Sequence, residues 1–250
     1  IAVPTTKMGI AMDLAGKLVL VTGGTDGIGR ELALQMRAAG ATLLVSGRSH
    51  DRLAAMREAG FEAIEADLST PAGIDTLVTA VGERPLAVLV NNAGSGSIYE
   101  PDRICSLEDA SACIRLNLDA PIRLITHLLS RLRAQPVAAI VNVTSGLALA
   151  PRAGGSVYCA TKAGLRSYTQ ALRHLLKDSN VRVIEALPPV VDTKMTAGRA
   201  SRKMPAAACA AEIVRGIQAN KTEINVGMVK LLQLVNSISP ALARRVMIGF

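Results

Sequence analysis

Tyr158 and Lys162, in the stretch Gly155-Ser156-Val157-Tyr158-Cys159-Ala160-Thr161-Lys162, stand four residues apart. On a helix such a pair shares one face, so the phenol and the ammonium become neighbours. A lysine charge beside a phenol favours the phenolate and lowers a pKa that is about 10 in isolation. The pair can then serve as a general acid or base near neutral pH. The same spacing arises by chance in many surface helices, so it acquires meaning only beside other motifs.

A second candidate site lies near the start of the chain. Lys17 to Thr22 is a short run rich in Val and Leu, suited to a strand buried on both faces. It runs straight into Gly23-Gly24-Thr25-Asp26-Gly27-Ile28-Gly29. A helical pattern follows, with Ile28, Leu32, Leu34, Met36 and Ala39 apolar and Gly40 as the stop. Glycines between a strand and a helix allow a tight turn and close backbone approach to a phosphate, while the helix N-terminus supplies N–H donors. The spacing Gly23-x3-Gly27-x-Gly29 is wider than the common dinucleotide fingerprint. Nineteen residues after Gly29, past a second strand at 42–46, comes Arg48. An acidic side chain in this region would bind the ribose 2′-hydroxyl of NAD; a guanidinium suits a 2′-phosphate instead. NADP(H) is therefore the expected cofactor, with NAD(H) possible. The plain alternative for Arg48 is an exposed residue opening a helix. Asp26 pulls the other way: its carboxylate weakens the preference unless it points away.

The remaining elements must position these residues. Helices are expected near 50–59, 71–81, 106–133 and 206–219, with another around Tyr158 and Lys162. Strands are expected at 61–65, 86–90, 137–143 and 223–227, and near 181–186. This alternation, without a break in composition, predicts one α/β unit: a doubly wound parallel sheet flanked by helices on both faces. Residues 1–11 read as a flexible leader or artificial remnant, and 12–250 as one dinucleotide-binding catalytic domain with a C-terminal lid and tail.

Composition narrows the partners. There are 28 Lys and Arg against 20 Asp and Glu, a formal net charge of +8. The cations are scattered, and with no Trp, three Tyr and two Phe there is little to stack on bases, so nucleic acid is disfavoured. Cys105, Cys113, Cys159 and Cys209 form no CxxC pair, and His50, His127 and His174 show no ligand spacing with them, so no metal is expected. No apolar run reaches the roughly 18 residues of a membrane span. A cytoplasmic protein with reduced thiols is the expectation.

Four stretches together carry a resemblance to a known family. Thr22 to Gly29, Asn91-Asn92-Ala93-Gly94, Ser145 thirteen residues before Tyr158, and Tyr158-x3-Lys162 resemble the short-chain dehydrogenase/reductase family in its compact branch. The resemblance covers the chain from about Met12 to Gly227. It implies a Rossmann-type fold and hydride transfer between a nicotinamide cofactor and a carbonyl or alcohol substrate. By the same resemblance Tyr158 donates the proton to the substrate oxygen, Lys162 lowers its pKa and binds the nicotinamide ribose, and Ser145 holds the substrate oxygen. Asn117 supports a water near the lysine. Gly23, Thr25, Asp26, Gly27, Ile28 and Gly29 form the cofactor loop. Asp67 and Leu68 flank the adenine, Asn92, Ala93 and Gly94 line the cofactor, and Thr193 holds the carboxamide. A homodimer or homotetramer is expected.

The fit has departures. Pro188-Pro189 replaces Pro-Gly after the sixth strand and stiffens that loop. Thr144-Ser145 replaces Ser-Ser, a change read as catalytically neutral. Asn91 and Asn92 read as structural, Thr193 doubles as a possible helix cap, Cys159 reads as packing, and His127 and His174 as surface or interface groups. Residues 193–206 read as a mobile lid. The apolar tail, from Val229 to Val235 and from Ser239-Pro240 onward, could pack on a subunit, close a pocket for an apolar substrate, or lie on a membrane. Subunit or pocket packing ranks first because the tail lacks a strong lysine face. Two other readings compete: a sugar-nucleotide epimerase or dehydratase, for which the chain is too short, and a non-catalytic nucleotide-sensing or scaffold protein, which missing catalytic residues would favour. All four catalytic positions are filled.

Overall fold

Strand and helix alternate from β1 (Leu18–Val21) and α1 (Gly27–Ala38) through β2 (Thr42–Gly47), α2 (His50–Glu58), β3 (Glu62–Glu65) and α3 (Pro71–Val81). Then come β4 (Leu86–Asn91), α4 (Leu107–Ile114), α5 (Ala120–Arg133), β5 (Ala138–Val143), α6 (Ser156–Leu175) and β6 (Val181–Leu187). The short β7 (Val191–Asp192) and β8 (Met204–Pro205) pair with each other. After them follow α7 (Ala206–Gln218), β9 (Glu223–Asn225), α8 (Val229–Ile238) and α9 (Pro240–Met247). This computed structural model describes residues 11–96, 105–198 and 202–249. The expected leader, apart from Ala11, and residues 199–201 of the expected lid fall outside them.

Seven strands form one parallel sheet in the order β3-β2-β1-β4-β5-β6-β9. The order reverses between β1 and β4, whose neighbouring register ends with Val21 opposite Val90. A crevice opens outside the carboxyl ends of strands at such a reversal, and it is the usual place for a ligand.

The central strands bury both faces because alternate side chains feed opposite layers, whereas the edge strand β3 leaves Glu62 and Glu65 exposed. Val19, Val21, Val88 and Val90 pack with Leu32 and Met36 of α1 and Ile213 and Ile217 of α7. Leu20, Leu44, Leu89 and Ile140 pack on the other face with Leu77 of α3 and Leu124 and Leu128 of α5. Every residue of β4 and β5 is buried. A fully buried Leu or Val contributes about 1.5–3 kcal/mol, so an aliphatic core suffices without aromatic bulk. The helix starts follow ordinary capping: Thr70 Oγ1 accepts from Gly73 N at 3.1 Å, and Pro71 occupies the first turn of α3.

Two elements depart from the expected ones. The helix expected over 106–133 is interrupted by a π-helical turn, Arg115–Asp119, between α4 and α5. Pro121 has no N–H to give to the carbonyl of Asn117, so the α register cannot run through this point. The last strand stops at Asn225 rather than 227, because the chain turns at Gly227, with φ +53°, into α8.

Candidate active site

The loop between β1 and α1 is shaped by what a side chain would strike. Gly23 has φ +63°, and a Cβ there would lie 3.0 Å from Ala93 Cα. A Cβ on Gly29 would lie 2.2 Å from Gly23 O and 2.4 Å from Asn92 Nδ2. Only glycine closes this turn and lets α1 present its first amides to the crevice. Thr22 ties the end of β1 to that of β4: its Oγ1 donates to Val90 O at 3.2 Å and accepts from the amides of Asn92 and Ala93, each at 3.0 Å. Asn92 Nδ2 donates to Thr22 O at 3.0 Å.

Asp26 does not point away from the loop. Its Oδ1 accepts from Gly27 N at 2.8 Å, while Oδ2 faces Arg52 Nη1 at 3.3 Å and Lys194 Nζ at 3.8 Å. Arg48 Nη1 lies 3.6 Å from Asp67 Oδ2. Burial pushes the Asp67 carboxyl up, but hydrogen bonds from Ser69 and the Arg48 charge together hold it below the ordinary value. Both members of the Arg48–Asp67 pair are well exposed, so it contributes little stability and leaves the guanidinium available to a ligand.

On α6, Lys162 Nζ sits 5.8 Å from the centre of the Tyr158 ring and donates to Val143 O at 2.8 Å. Lysine is buried here, and burial lowers its pKa to about 8. Asn117 comes from the π turn. Its Nδ2 donates to Ser95 O at 2.9 Å and Thr161 Oγ1 at 3.1 Å, and its Oδ1 accepts from Ser95 N at 2.9 Å. A Cβ on Gly94 would come 3.2 Å from Asn117 Oδ1 and 3.6 Å from Lys162 Nζ, so these three positions converge. Ser145 follows β5, and its Oγ accepts from Leu147 N at 3.1 Å.

The sequence model for short chain dehydrogenases matches residues 17–204. The chain belongs to the short-chain dehydrogenase/reductase family. It is 42% identical over 189 residues to the uncharacterized oxidoreductase DltE of Bacillus subtilis, covering 73% of this chain and 74% of that one. A short chain dehydrogenase from Burkholderia cenocepacia, solved in complex with NADP, superposes with a TM-score of 0.84 at 21% identity and shows the same fold over 96% of this chain and 100% of the other. One from Sphingobium yanoikuyae, solved with NADPH, matches at 27% identity and a TM-score of 0.78, covering 90% of this chain and 94% of that one.

In this short-chain dehydrogenase/reductase the expected residues gather around one cavity of about 1630 Å³. Gly23, Thr25, Asp26, Gly27, Ile28 and Gly29 line it, as do Arg48, Leu68, Asn92, Ala93 and Gly94. Ser145, Tyr158, Lys162 and Thr193 line it too; Asn117, fully buried, and Asp67, half-exposed beside Arg48, do not. Thr193 both begins a capping box with Thr196 and presses on the glycine loop, where a Cβ on Gly27 would meet its Cγ2 at 2.9 Å. Asn91 is structural, donating to Asn142 Oδ1 at 2.8 Å within the sheet. Cys159 is buried packing.

Sequence reasoning missed several groups. Arg52, Arg152 and Lys194 also line the cavity, and Asp26 is its only carboxylate among the described residues. Thr144, read as an interchangeable hydroxyl, donates from Oγ1 to the buried Glu185 at 2.7 Å. The tail helices close one side of the chamber: Val229, Leu232 and Val235 of α8 and Ala243 and Met247 of α9 face inward. Pocket packing is therefore one role of the tail. Among the described residues no helix is long and apolar enough to cross a membrane, and no metal-type cluster of His, Cys, Asp or Glu occurs.

Proposed function

We propose that this chain is an NADPH-preferring carbonyl reductase or alcohol dehydrogenase. The observation that carries the reading is the Lys162 ammonium held 5.8 Å from the Tyr158 ring, in the same cavity as Ser145 and the glycine loop. The cavity suits a dinucleotide: Gly23 and Gly29 leave a cradle that any Cβ would fill, and the lining is strongly cationic. When bound, the nicotinamide supplies or receives the hydride.

The chain's own residues do the rest. Tyr158 gives its proton to the carbonyl oxygen in reduction and takes it back in oxidation, a role that contributes about 10²–10⁴ in rate. Lys162 stabilises the phenolate and reaches the ribose, while Ser145 holds the substrate oxygen as charge develops on it. Asn117 fixes the loop of Ser95 beside Lys162 and orders water there. Arg48 and Arg52 receive the 2′-phosphate, since Asp26 is already faced by Arg52 and Lys194. Asp67 and Leu68 border the adenine, and Thr193 the carboxamide. The protein works in the cytoplasm as a homodimer or homotetramer on a small-molecule carbonyl or alcohol substrate with an apolar portion. Oxidation of NADPH with a panel of ketones, followed at 340 nm, tests this. Turnover lost in Tyr158→Phe supports it; NADPH binding without turnover of any carbonyl points to the nucleotide-sensing alternative.

A further inference from the structure

Arg152 is one of the cations that line the cavity among the described residues. It lies on the segment joining Ser145 to Tyr158, and it lines the cavity to which Leu147, Met204, Val229, Leu232 and Met247 also contribute. Its place is fixed from two sides. The carbonyl of Arg152 accepts from Cys159 Sγ at 3.8 Å in the first turn of α6, and the next residue, Ala153, donates its amide to Ile248 O at 3.0 Å beyond α9. One guanidinium nitrogen, Nη2, donates to Gly154 O at 3.2 Å. The ion pairs among the described residues do not include Arg152.

The other cations of the cavity differ. Arg48, Arg52, Lys194 and Lys203 each face a carboxylate, and Lys162 donates to Val143 O and stands beside the Tyr158 ring. Arg202 is solvent-exposed. Arg152 is half-buried in a cavity whose lining also holds many aliphatic side chains, where a cation without a counter-charge is costly. A guanidinium offers five donors in a planar fork that matches a carboxylate in two-point contact. The chamber then opens outward past Leu231, Leu242 and Val246, which line it and are also 54, 52 and 59% exposed.

We propose that the substrate is an aliphatic chain carrying a carboxylate near its carbonyl or alcohol carbon, with the carboxylate on Arg152 and the chain along the inner faces of α8 and α9. This rests on the oxidoreductase reading above; the carboxylate itself takes no part in the oxidation or reduction.

Calorimetric titration of the NADP⁺-saturated protein with decanoate and with 1-decanol tests the binding. Decanoate should bind about ten- to hundredfold more tightly, the worth of a charge-assisted hydrogen-bonded pair. Arg152→Gln should bring decanoate to the level of decanol, and Arg152→Lys should keep part of the difference. Equal affinity of the wild type for both ligands, or no binding of decanoate, overturns the proposal without reference to any variant. Kinetics separates it from the parent reading. With NADPH, 4-oxodecanoate should show a KM about ten- to hundredfold below that of its methyl ester, and Arg152→Gln should close that gap. Ester and acid turned over alike overturns the carboxylate assignment alone. Selective decanoate binding with no turnover of acid, ester or any other ketone overturns the oxidoreductase reading alone.

Discussion

Thr144 Oγ1 donates at 2.7 Å to Glu185, a carboxylate with no exposure to solvent. Arg166 of α6 donates to the other oxygen of Glu185 at 2.5 Å and reaches Glu223 at 3.3 Å. Thr144 precedes Ser145, and Arg166 lies two turns beyond Tyr158 on the same helix. The buried carboxylate thereby couples the strand end that carries the serine to the helix that carries the tyrosine and lysine. Burial pushes the Glu185 carboxyl up, and Thr144 and Arg166 oppose that push.

Thr144→Val should cost about 1–3 kcal/mol, because it leaves Glu185 short of a donor. Glu185→Ala should cost about 3 kcal/mol, because Arg166 then loses the nearer of its two carboxylates and keeps only Glu223, at 3.3 Å. Thr144→Ser should restore nearly all of the loss. Urea denaturation of the three variants measures this, and a Thr144→Val protein as stable as the parent would refute the coupling.

Tyr158→Phe removes a proton donor and almost no binding surface. Turnover should fall by about 10²-fold or more, with the affinity for NADPH changed less than about threefold. Stopped-flow turnover beside fluorescence titration of NADPH reads both numbers, and activity within about tenfold of the parent would remove the assigned role.

Cofactor choice depends on Arg48 and Arg52 against Asp26. NADPH should be preferred over NADH by roughly ten- to thousandfold, the range that a charge-assisted pair supplies. Arg48→Ala should erode the preference through NADPH, leaving NADH little changed. Arg52→Ala should do so as well, since it also frees the Asp26 carboxylate, 3.3 Å away in the parent, to repel the added phosphate. Comparison of kcat/KM for the two cofactors decides it: an equal loss for both would place these arginines elsewhere in binding.

The burial of Lys162 has a signature in the stability of the protein without cofactor. Its pKa falls from an ordinary 10.5 to about 8 in the folded chain. Between those values the unfolded chain holds the extra proton, so stability from this group rises with pH. The contribution is complete above about pH 10.5 and is lost as pH falls to about 8. Relative to Lys162→Met, the wild type should therefore gain up to about 3 kcal/mol across that window and show no further pH-dependent difference below it. Denaturation midpoints at pH 7.5, 8.5 and 9.5 measure the slope, and a flat difference would mean the ammonium is not desolvated.

The strands, the glycine turn and the Tyr158–Lys162 face were legible in the linear chain because each depends on neighbours a few residues away. An unbroken Val and Leu run needs cover on both faces wherever it lies, and residues four apart on a helix meet regardless of the fold. The match of the expected helices 71–81 and 206–219 to the observed Pro71–Val81 and Ala206–Gln218 has this origin. Other features depended on groups far apart in sequence. Asp26 meets Arg52 and Lys194, Thr144 meets Glu185, and a Cβ on Gly146 would lie 2.9 Å from Val229 of α8. No spacing rule connects such positions. They are brought together only when crossover helices lay consecutive strands side by side and the tail folds back across their ends. For that reason the chemistry of the site was written locally, while its charge balance, its apolar wall and the isolated Arg152 were decided by tertiary packing.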